Sequence, residues 1–316
     1  MRYLTLVSLI ISFGLMGSLE ANPKRYKTYP YDGSPFQKHT DITAEWESNR
    51  LAWKNKVAPQ PVMKRQLEIL EALSKREPRW IDGYWLVADA AFQLGNSYDD
   101  PKDYPIANAA FEKGKQSAEA CLRIQNDNPL CKFYLGVNLG KIASIKGIFA
   151  SLKNAKMVEK LWTEVTESPY NHQLSERSSL QGASRYALGL FYRLVPDFML
   201  MKWLFGTKGD IEKSVAYHRE NLAFDEPNVC SRTMLGVALV CSGDSDFSSK
   251  NGQEGLGQLK AAKSYPVTSA LFASCAKDLD RLIADPKMSC GYETTRQQET
   301  SEEDFKKQNR EASLSR

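Results

Sequence analysis

The sequence predicts an all-α fold of stacked antiparallel helical hairpins. Three observations carry this. From Thr40 onward apolar residues recur at helical spacing, in stretches bounded by Pro, Gly or Asn/Asp clusters. No run reads convincingly as a strand. Three helix–turn–helix joints share one offset: Leu73 and Leu86, Leu122 and Leu135, and Leu222 and Leu235 each stand 13 residues apart, around turns holding Pro78, Pro129 and Pro227.

The elements follow in chain order. Residues 1–21 read as a secretory signal peptide: Arg2 gives the positive start, Leu4 to Met16 the apolar run, and Ala21 a small residue for cleavage. The mature chain would then begin near Asn22, exported to the periplasm or associated with the envelope. The apolar run falls short of the roughly 20 residues of a membrane span, and nothing downstream approaches one. Residues 22–40 form an extended segment and 41–285 the helical-repeat domain. Within it, helices are expected at about 42–56, 61–76, 80–95, 105–126, 129–147, 149–167, 178–194, 210–225, 229–241, 253–264 and 267–284. Residues 286–316 form a polar tail. From Thr294 its richness in Gln, Glu, Lys, Ser and Arg predicts a mobile or fraying helix.

Composition narrows the function classes. In 316 residues, 42 Lys and Arg stand against 38 Asp and Glu, and no basic block offers a track for phosphates, so nucleic acid is not an expected partner. An even count of six Cys in an exported chain predicts disulfides. Cys230 and Cys241 belong to one helix, where eleven residues at about 1.5 Å each separate them by roughly 16 Å, too far to bridge. Cys121 and Cys131 straddle a turn between antiparallel helices and are candidate partners. Cys241, near a helix end, is assigned to Cys290, past the end of the next parallel helix. With no Cys-x-x-Cys and three scattered His, no metal or cofactor site is expected.

"ACLRIQNDNPLCKFYLG" (120–136) and "NLAFDEPNVCSRTMLG" (221–236) resemble the tetratricopeptide repeat, which ends one helix with a small residue and Leu, turns at Asp/Pro, and opens the next with aromatic-x-Leu-Gly. The joints are 49 and then 100 residues apart, so the repeats are degenerate and interrupted. The resemblance implies an α-α superhelix. Residues 130–245 also resemble the T-component family associated with TRAP transporters, periplasmic helical-repeat proteins. Gly140-Lys141, Arg185, Leu188-Gly189, Pro196 and Gly206 occupy its motif positions. That family usually carries a lipid-attachment Cys, whereas the first Cys here is Cys121.

Candidate contact residues come from two places. Lys141 and Arg185, on helices near the middle of the array, either present positive charge to an acidic group or, with Lys146, pair with Glu159, Glu164 or Glu176. The insertion Val195–Phe205 interrupts a repeat with more large apolar side chains than a connector needs. Phe198, Met201, Trp203 and Phe205 are therefore expected to line an apolar pocket on the inner surface, to offer a docking surface for a partner, or to plug the inner face as core. Gly136 and Gly140, four apart, mark a close helix crossing. His218 lacks a second ligand or nucleophile near it, and "GQEGLG" (252–257) lacks the strand and the Lys-Ser/Thr of a phosphate loop. The expected function is a non-enzymatic binding or scaffold module. Its partner would be another exported or envelope protein, or a small apolar or organic-acid ligand, the latter implied by the transporter-associated resemblance. The alternatives are a structural envelope protein acting through protein–protein or self-association, and an enzyme whose site is assembled from residues distant in sequence.

Overall fold

The computed structural model describes residues 26–46, 59–175 and 177–307. The signal peptide expected over 1–21, and most of the helix expected at 42–56, lie outside these. The fold is all-α, with fourteen helices among the described residues. A short strand β1 (Lys27–Thr28) and helix α1 (Ser34–Lys38) lead into α2 (Gln60–Arg76), α3 (Ile81–Asn96), α4 (Tyr104–Ile124) and α5 (Pro129–Lys146). There follow α6 (Ile148–Ser151), α7 (Ala155–Glu167), the strands β2 (Tyr170–Asn171), β3 (Gln173–Ser175) and β4 (Ser178–Ser179), and α8 (Leu180–Leu194). The remainder is α9 (Met199–Phe205), α10 (Ile211–Phe224), α11 (Val229–Ser242), α12 (Lys250–Ala262), α13 (Ala270–Lys277) and α14 (Leu279–Ala284).

Local chemistry sets most boundaries. Asn128 caps α5 by accepting from the Leu130 and Cys131 N–H groups, with Pro129 at the first helical position. Asn228 and Ser231 form a reciprocal capping box at α11. Asp210 caps α10, and Ser249 caps α12, three residues before the glycine-rich stretch begins. Two expected helices are broken. Gly147 at φ 94° and a 3-10 turn at Leu152–Asn154 separate α5, α6 and α7, while Asp278 divides α13 from α14.

Successive long helices pack on one another from α2 through α5, then α7, α8, α10, α11 and α12. The Leu-Gly pairs are the crossings of this stack. A Cβ on Gly136 would stand 2.3 Å from Nε1 of Trp162 on α7; one on Gly189 would stand 2.6 Å from His218 on α10, and one on Gly236 2.8 Å from Leu259 on α12. Each glycine is thus the seat of a side chain from the following helix. α13 reaches back to α3, where Lys277 meets Asp99 at 3.5 Å, so the array curls until its ends touch. β1 pairs in parallel with β2 and ties the N-terminal segment across the middle of the stack.

Three disulfides hold the second half and one joint of the first. Cys121–Cys131 closes the α4–α5 turn and Cys241–Cys290 ties α11 to the chain beyond α14, both as the sequence predicted; the third is Cys230–Cys275. Cys230 and Cys241 do lie on one helix and do not pair.

The segment beyond Asp285, read from sequence as a polar tail that is mobile or fraying from Thr294, packs on the helices at several points up to residue 307. Tyr292, Glu293, Thr294, Gln298 and Phe305 are buried. The Arg193 guanidinium donates to the Ser289 and Cys290 carbonyls, Gln298 donates to the Ser144 carbonyl, and Phe305 packs on Phe149 and Phe198. Polar composition misled here because hydrogen bonds to buried groups and a disulfide hold the segment, with Tyr292 and Phe305 as its buried apolar anchors.

Candidate functional site

Curling the stack forms a partly open cavity of about 650 Å³ on its inner side. One wall is α5, through Phe133, Val137 and Lys141; another is α8, through Ala183, Tyr186, Ala187 and Leu190. Val158 and Trp162 of α7 form the floor between them, and Leu271 and Phe272 of α13, with Glu293 and Thr294, close the opposite side. The walls are mainly apolar because α5 and α8 are buried nearly all round. Their outward faces pack on neighbouring helices and their inward faces line the void.

The charged groups at the cavity are already partnered, whereas the buried Asn221 Oδ1 accepts no hydrogen bond. Lys141 donates to Glu293 at 2.8 Å and to the Thr294 hydroxyl at 3.3 Å. Burial pushes the Glu293 carboxyl up, but the Lys141 charge and hydrogen bonds from Lys141 and Thr295 outweigh it and hold the carboxyl at about 2. Burial raises the Asp225 carboxyl to about 6, against the opposing pull of the Ser179 N–H that donates to it and of Arg185. The Tyr134 phenol is pushed well above its usual range, first by burial and then by Asp89. Arg177, at the wall near β4, is 3.8 Å from the exposed Glu226.

Of the residues singled out from sequence, Lys141 lines the cavity, and its partner is a carboxylate 152 positions away rather than Glu159, Glu164 or Glu176. Lys146 pairs with Glu112 at 3.4 Å. Arg185 lies outside the cavity. It donates to Glu220 and its guanidinium sits 4.0 Å over the Phe224 ring, which fixes α8 to α10, and it also donates to the Gln181 carbonyl and side chain within α8 and to Tyr26 of the N-terminal segment.

The insertion meets the cavity at Val195, while Phe198, Met201, Trp203 and Phe205 do not line it. The reason is in the backbone. Gly209 N–H donates to the Pro196 carbonyl and Asp210 N–H to the Tyr192 carbonyl, so α10 resumes the stack as though nothing intervened and α9 projects away. Met201 is fully buried against the main core, Phe198 and Phe205 are half-buried beside it, and Trp203 is 80% exposed. Sequence reasoning missed Tyr186, Phe133, Trp162 and Glu293. Only proximity across the curl makes them one site, and no local spacing signals it.

Neither a scan of protein-family models nor a search of curated proteins finds a match to this chain. Among the described residues no helix is long and apolar enough to cross a membrane.

Proposed function

We propose that the chain is an exported, non-enzymatic helical-repeat binding protein that holds a small, predominantly apolar molecule in the cavity between α5 and α8. One observation carries the reading: a cavity of about 650 Å³ walled by aromatic and aliphatic side chains. That volume lies within the roughly 300–1,000 Å³ of small-molecule sites. The neutralised Lys141 favours an apolar molecule over a small organic acid, since a carboxylate there would have to displace Glu293. Export is supported by the three disulfides, which persist in oxidising compartments. The resemblance to the T-component family makes an accessory role in solute uptake the natural setting.

The test uses an obstruction. Ala183 is half-buried on the cavity wall, so Ala183→Trp fills space without displacing core. The wild-type protein should bind N-phenyl-1-naphthylamine with enhanced fluorescence. The variant should bind about tenfold more weakly, equivalent to about 1.4 kcal/mol, with an unchanged helical spectrum. Native mass spectrometry of gently purified protein should show a bound apolar molecule. Equal probe binding by both proteins would place the probe elsewhere and end the cavity reading.

A further inference from the structure

Five of the ten large hydrophobic side chains exposed among the described residues gather in one place: Met157, Met199, Leu200, Trp203 and Leu204. The helical period puts positions 199, 200, 203 and 204 on one face of α9, while Met201 and Phe205 face the protein. Gly206, which ends α9 at φ 73°, lies against Lys156, so the outer face of α7 adjoins this helix. That face carries Lys156, Met157 and Lys160, and Lys153 lies in the 3-10 turn just before it, all exposed. Trp203 at 80% and Met199 at 70% are the most exposed large apolar residues described. An isolated apolar side chain at a surface needs no explanation, but a cluster of this kind does.

Charge decides what covers it. Lys153, Lys156 and Lys202 have no ion-pair partner among the described residues, whereas Asp197 pairs with Lys208 and Glu164 with Lys132, and Glu159 alone, accepting from the neutral Tyr192 hydroxyl, stands against these three lysines. The patch is therefore apolar at its tip and net positive at its border. Lysine is depleted at protein–protein interfaces. A short helix with Trp, Leu and Met outward and lysines at its edge has the composition of a segment lying in the headgroup region of an anionic bilayer.

We propose that α9 and the outer face of α7 seat the protein on an anionic lipid surface, with Met199, Trp203 and Leu204 entering the headgroup region and Lys153, Lys156 and Lys202 meeting lipid phosphates. This is independent of the cavity and its occupant. It also provides a route to the envelope that requires no lipid-attachment Cys.

The experiment is sedimentation of the purified chain with vesicles of phosphatidylcholine alone or with one quarter phosphatidylglycerol, the latter also carrying brominated acyl chains. Wild-type protein should pellet with the anionic vesicles, weakly with the neutral ones, and less as salt rises. Lys156→Gln with Lys202→Gln should weaken binding roughly 25-fold, at roughly fivefold per lysine. The part of the tryptophan emission quenched by bromine should disappear in Trp203→Ser, whose helical spectrum should stay unchanged because the side chain is outside the core. Equal partitioning onto both vesicle types, an unquenched Trp203, or a lysine double variant that binds like wild type would each overturn the proposal. So would a dimer in sedimentation velocity that Trp203→Ser dissolves, since the patch would then be covered by a second copy.

Discussion

Replacing Lys141 by Met probes a buried ion pair that joins the repeat stack to the C-terminal segment. The side chains of Lys141 and Glu293 are 13% and 6% exposed, so water screens their 2.8 Å contact little. Glu293 titrates at about 2 against an ordinary 4.5, and at about 1.36 kcal/mol per pH unit this links roughly 3 kcal/mol of stability to the ionised carboxylate. Removing one partner of a buried pair typically costs about 3–5 kcal/mol, in agreement. At pH 7, Lys141→Met should lose roughly 3 kcal/mol in urea unfolding followed by circular dichroism, and adding Glu293→Gln should restore most of it. The sign with pH follows from the lowered carboxyl. The unfolded chain takes up the proton first, so the contribution is whole above about pH 5 and declines as pH falls toward 2. The gap between wild type and Lys141→Met should therefore close on acidification. A loss below about 1 kcal/mol at pH 7, or a gap that stays constant from pH 7 to pH 3, would refute the reasoning.

Two further outcomes are expected. Cys241→Ser with Cys290→Ser opens a loop spanning 49 positions, worth about 4 kcal/mol by chain entropy; limited proteolysis should then cut first within 286–307, and protection of that stretch would count against the disulfide as its anchor. His218 is fully buried with neither ring nitrogen hydrogen-bonded, and burial followed by the nearby Arg193 lowers it to about 3, so stability should fall as pH drops from about 6.5 toward 3; in His218→Leu the urea midpoint should decline less over that range, and parallel declines would refute the assignment.

The sequence by itself determined what depends on near neighbours along the chain. Helical period and turn residues placed the long helices, because apolar spacing and caps such as Asn128 and Asn228 act within one or two turns. Gly136 marked a crossing, since a missing Cβ is visible in sequence where another helix must come close, whereas at Gly140 a Cβ would make only ordinary contact with Trp162. Two disulfides were legible because helix geometry limits which sulfurs can meet. Lys141 was chosen from its position in the middle of the array and does stand at the cavity.

Tertiary structure alone decided the rest. Whether α9 lines a pocket, plugs one or projects outward depends on the two backbone hydrogen bonds that close the insertion at its base, and the same apolar composition suits all three outcomes. The C-terminal segment reads as solvated because its anchoring groups are polar; their partners lie on α5 and α8, about 100 to 150 positions earlier in the chain. The cavity exists because the stack curls until α13 reaches α3. That curvature sums small angles at each helix crossing, and no single stretch of sequence carries it.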